Sequence, residues 1–120
     1  MQLKELTITQ MTWAASGHAA QTETFSGITG QIVGATVTGA ATNSITFTLA
    51  VTDADSISLL SVASIAKGGV YLHSESGLGT PSADFNPPYL VNEDITISID
   101  PSGDGGANTA ADVTLILKMD

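Results

Sequence analysis

The residues able to do chemistry are few and scattered. The chain has two histidines, His18 and His73, twelve carboxylates, three lysines (Lys4, Lys67 and Lys118) and no cysteine or arginine. A catalytic triad needs a nucleophile, a histidine and an orienting carboxylate brought together in space. No Gly-x-Ser-x-Gly elbow marks a nucleophile, so both histidines read as surface or edge-strand residues. Without cysteine, thiolate metal sites, thiol nucleophiles and disulfides are excluded. Asp53-x-Asp55 has the opening spacing of a calcium loop. The EF-hand pattern then requires glycine at its sixth position and glutamate at its twelfth. Those positions hold Ser58 and Ser64, so a turn explains the aspartates better. Asp100, Asp104 and Asp112 flank a glycine-rich stretch, which reads as another turn. Gly103 to Gly106 is followed by neither a lysine nor a helix signal, so it is not a phosphate cradle. No catalytic residue, metal site or cofactor is expected, and the chain reads as a non-enzyme.

Composition narrows the partners. The formal net charge is -9 and only 12% of the 120 residues are charged. Counterion release from phosphates requires clustered cations. Their absence argues against nucleic acid, and against anionic membranes for the same reason. The opening Met1-Gln-Leu-Lys-Glu lacks the apolar core of a signal peptide. No apolar run approaches a membrane span. The lack of disulfides favours folding in a reducing cytoplasm.

The elements that would position any site are strands. Ile45, Phe47, Leu49 and Val51 alternate with Thr46, Thr48, Ala50 and Thr52. A period of two gives one buried and one hydroxyl-rich face. Ile95, Ile97 and Ile99 repeat the pattern, as do Val113, Leu115, Leu117 and Met119, and Leu6 with Ile8. Weaker strands are expected over 19–25, 57–62 and 70–73. A further one over 28–37 is interrupted by Gly30 and Gly34, which point to bulges. Residues 57–67 could supply about two helical turns, but their serine and β-branched content argues for a strand. Residues 74–88, rich in glycine and proline, read as a long loop. The sum is one all-β domain over 1–120, an antiparallel β-sandwich of jelly-roll type with about eight strands. Residues 1–26 are expected as an N-terminal arm or edge strand.

Candidate contact residues are aromatics outside the alternating pattern: Trp13, and Phe85 and Tyr89 flanking Pro87 and Pro88. Loop aromatics anchor interfaces. They also cap the ends of a domain's own core, and the sequence leaves both roles open.

The stretches Gly27-Ile-Thr-Gly-Gln-Ile-Val, Ile45 to Leu60, Val91 to Asp100 and Asp112 to Lys118 follow one another in an order that resembles small virion proteins of tailed bacteriophages. The resemblance covers roughly residues 27 to 120 and rests on strand rhythm and loop placement. Related sequences tend to read Asp-x-Asp-Gly at the acidic turn, where this chain has Ser56. The resemblance implies a capsid decoration, or cement, protein. Such a protein is made in the host cytoplasm and bound on the virion's capsid surface. Its partners would be the major capsid protein and further copies of itself, as a dimer or trimer. The alternative is a tail- or fibre-associated module that binds host glycans.

Overall fold

The computed structural model describes residues 3–8, 10–73, 83–85 and 88–119. They form nine strands: β1 (Leu3–Thr7), β2 (Met11–Trp13), β3 (Gln21–Ala40), β4 (Thr46–Asp53), β5 (Ser58–Ala66), β6 (Gly68–His73), β7 (Ala83–Phe85), β8 (Leu90–Pro101) and β9 (Thr109–Lys118). Every pairing is antiparallel.

β3 belongs to both sheets. Its first half pairs with β8 from Gln21 to Gly30, and its second half pairs with β9 from Gln31 to Ala40. One sheet therefore runs β1/β2, β9, second half of β3, β6. The other runs first half of β3, β8, β4, β5, β7. Take β1 with β2 as one broken strand and divide β3 into its halves. With β7 left aside as an addition to the edge of β5, eight segments then pair in the orders 1-8-3-6 and 2-7-4-5. That is the order of a jelly roll. The expected sandwich is present, with β1 and β2 forming an edge of the first sheet.

Glycines let β3 change sheets. Register shifts fall between Phe25 and Ile28, between Ile28 and Gly30, and between Ile32 and Gly34. The first and third place an extra residue on β3 and the second places one on β8, and each extra residue on β3 moves its following side chains to the opposite face. The inward set accordingly passes from 21, 23 and 25 to 28, 30 and 32, then to 35, 37 and 39. Gly30 has φ +135, and a Cβ there would sit 2.8 Å from the carbonyl oxygen of Lys118. Only glycine fits that corner. The weak strands expected over 19–25 and 28–37 are thus one bent strand.

The alternating runs build the core as their pattern requires. Phe47, Leu49, Val51, Ile95, Ile97, Ile99, Val113, Leu115 and Leu117 are fully buried. β5 is less regular: Leu59 and Leu60 are both buried. A register shift against β4 between Val51 and Thr52 accommodates the pair. No helix forms over 57–67. The stretch 74–88 expected as a loop contains β7, which pairs with β5 from Leu60 to Val62.

Candidate functional site

The chemical candidates do not converge. Asp53 closes its turn with its own side chain, whose Oδ1 accepts from the amides of Asp55 and Ile57, both at 2.9 Å. Ser56 takes φ 63 in this turn, the left-handed conformation that favours glycine. Asp100 lies on β8 and Asp112 on β9, in different sheets. Asp104 Oδ1 accepts from the amide of Ser16 at 2.9 Å and of Gly106 at 2.8 Å. Those two bonds, first Gly106 and then Ser16, hold the Asp104 carboxyl below its ordinary value, with help from the charge of nearby His18. The carboxylate therefore ties the 14–20 loop to the 102–108 loop, which is a structural task. Among the described residues, no group of three His, Asp or Glu side chains is placed to hold a metal ion. His73 pairs with Gly34 in the β6 register.

An open groove of about 480 Å³ is lined by Gln10, Thr12, Trp13, Ala40, Asn108, Thr109 and Ala110. None of these residues is titratable. The groove arises because the aligned Thr12, Ala110 and Ala40 are small side chains across β2, β9 and β3.

Of the expected contact residues, Trp13 is part of the core. It is 7% exposed, its ring lies 6.3 Å from that of Phe47, and its Nε1 donates to the Ala19 carbonyl at 2.7 Å. The short Met11–Trp13 alternation pairs with β9 and turns the indole inward. Between the two roles the sequence left open, the geometry gives Trp13 the core-capping one. Phe85 stands opposite Leu60 on β7, Pro87 falls outside the described residues, and Pro88 is exposed. Tyr89 is 45% exposed and its hydroxyl donates to the Met119 carbonyl. Nearby in sequence, Val91 is 69% exposed.

The surface that stands out is the outer face of the second sheet. The register aligns Thr22, Ser98, Ala50 and Ser61 in one row across β3, β8, β4 and β5. Thr24, Thr96, Thr52 and Ser58 form the next row. Thr24 and Thr96 hydroxyls meet at 3.0 Å. Within these two rows there is no charge, although the chain carries twelve carboxylates. Asp94 and Asp100 bound the face along β8, and Asp84 stands opposite Ser61 on β7. The alternating threonines signalled a hydroxyl-bearing face, but the rows depend on pairing register, which local sequence does not show.

No protein-family model and no curated protein matches the chain. Among solved structures, a chain from a structure of infectious bursal disease virus, Gx strain, is similar at 16% identity and a TM-score of 0.45. That match covers 99% of this chain and 33% of the viral one, so this chain spans about a third of its length.

Proposed function

We propose that this chain is a decoration protein of a tailed-phage head, bound on the outside of the shell as a dimer or trimer. The observation that carries the reading is the uncharged hydroxyl face of the second sheet. Buried interface centres are depleted of Asp, Glu and Lys, because desolvating a charge without a partner is costly. A chain with a net charge of -9 that keeps two adjacent rows across β3, β8, β4 and β5 free of charge has a surface suited to packing. Hydroxyls on that face can exchange water for partner hydrogen bonds at little net cost.

The remaining features fit the same role. A jelly roll of this size folds around its own core, as a protein that joins a preformed shell must. The acidic charge elsewhere opposes indiscriminate self-association and capture by DNA. Oligomers matched to local shell symmetry gain avidity from several modest contacts.

The test is cosedimentation of the purified chain with heads assembled without it. Saturable binding to heads supports the proposal. Binding to tails, or a clear hit on a glycan array without head binding, would favour the host-glycan reading instead.

A further inference from the structure

The first half of β3 is the outermost strand of the second sheet. Over Gln21–Ser26 it pairs with β8 on one side and with no described residue on the other. An edge of this kind displays unpaired amides and carbonyls, and proteins usually blunt it with lysine, proline or a bulge. Here the six residues include no lysine or proline, and the register shift comes only at their end, between Phe25 and Ile28.

The inner side of this edge has a definite chemistry. Gln21, Glu23 and Phe25 point towards the sandwich, opposite Ile99, Ile97 and Ile95 of β8. Gln21 is used internally, its Nε2 donating to the Thr12 carbonyl. Phe25 packs against the core. Glu23 is half-buried and makes no hydrogen bond or ion pair with any described residue. It lies in register with the fully buried Ile97. A carboxylate at the margin of an apolar row is a place for a cation. The chain has only three to offer: Lys4 on β1, Lys118 at the end of β9, and Lys67, which is bound to the Ala41 and Asn43 carbonyls.

We propose that this edge of β3 over Gln21–Ser26, which no described residue pairs, accepts an extended segment of another protein as an added strand. A Lys or Arg of that segment lies against Glu23, and an apolar residue two positions away lies beside Phe25. The spacing follows from the pleat, in which residues i and i+2 share a face. Main-chain bonds supply the affinity and the alternate side chains supply the selectivity. Without such a partner, the inward Glu23 guards the edge against pairing with a second copy, because two such carboxylates would be brought together. This inference stands independently of the capsid reading, since any partner with that pattern qualifies.

The test uses the full chain, isotope-labelled, and two capped six-residue peptides rich in threonine. One carries Lys and Val at its second and fourth positions, and the other has Glu in place of the Lys. Amide shifts are followed to millimolar peptide. The Lys peptide is expected to shift amides 21–26 and their β8 partners, and to bind about fivefold more tightly than the Glu peptide, the scale of one partly exposed ion pair. Glu23→Lys reverses the preference and Glu23→Gln abolishes it, with melting temperatures confirming that both variants fold. Equal binding of the two peptides, no shift over 21–26, or an unchanged preference in Glu23→Lys would overturn the proposal.

Discussion

Gly39→Ala probes a close contact between the two sheets. Gly39 lies on β3 in the first sheet and Phe47 on β4 in the second. A Cβ at Gly39 would overlap Cε2 of Phe47 and lie 2.8 Å from Cδ2 and 3.1 Å from Cζ. Ordinary carbon contacts are about 3.5–4.0 Å, so the ring would have to retreat by roughly 1 Å. Phe47 is fully buried and the Trp13 ring stands 6.3 Å away, which leaves little room for that movement. Overpacking of this kind costs about 1–3 kcal/mol. For a domain of this size, 2 kcal/mol corresponds to a fall of roughly 8 °C in melting temperature. The assay is urea unfolding of Gly39→Ala, Phe47→Leu and the double variant. Removing the ring should relieve the alanine, with a coupling of at least about 1 kcal/mol between the two changes. A Gly39→Ala cost below about 0.5 kcal/mol, or an equal cost in both backgrounds, would refute this account of the sheet contact.

Trp13→Ala is expected to lower stability by about 3–5 kcal/mol, the range for emptying a large aromatic site. Unfolding melts would show the loss, and an unchanged melt would return Trp13 to the surface. The Asp104 tie is expected to depend on pH. Its carboxyl pKa is lowered in the folded chain from the ordinary 3.8. Its contribution is therefore fully present above 3.8 and is lost as pH falls through the lower folded value. Protection of the Ser16 and Gly106 amides, measured relative to their intrinsic exchange rates, should fall over that acid range in the native chain, and Asp104→Asn should remove that loss of protection. Tyr89→Phe deletes the bond to the Met119 carbonyl at an exposed position, so a loss of about 0.5 kcal/mol is expected, at the low end for a hydrogen bond.

Much of the fold was legible because strand alternation is local. The Ile95–Ile97–Ile99 and Val113–Leu115–Leu117 runs name their own buried faces. What escaped was set by distant partners. Gly30 and Gly34 announced irregularity, but a single strand serving two sheets follows only from the pairing of β3 with both β8 and β9. The adjacent Leu59 and Leu60 obscured β5, because a register shift against β4 breaks its period. Trp13 stood outside any long alternation, since β2 has only three residues and borrows its order from β9. The site was less legible. Threonines at alternate positions implied a hydroxyl face, yet the rows joining Thr22 to Ser61 and Thr24 to Ser58 need the register of four strands. Glu23 carries no motif at all, and only its place on an unpaired edge gives it meaning.

The most direct measurement of the central claim is a binding isotherm of the purified chain on phage heads assembled without it. Saturation at a fixed number of copies that matches the local symmetry of the shell is expected. A charge placed in the hydroxyl face, Thr96→Lys, should weaken that binding while leaving the chain folded. A chain that stays in the supernatant at every ratio, or a Thr96→Lys variant that binds as well as the native chain, would contradict it.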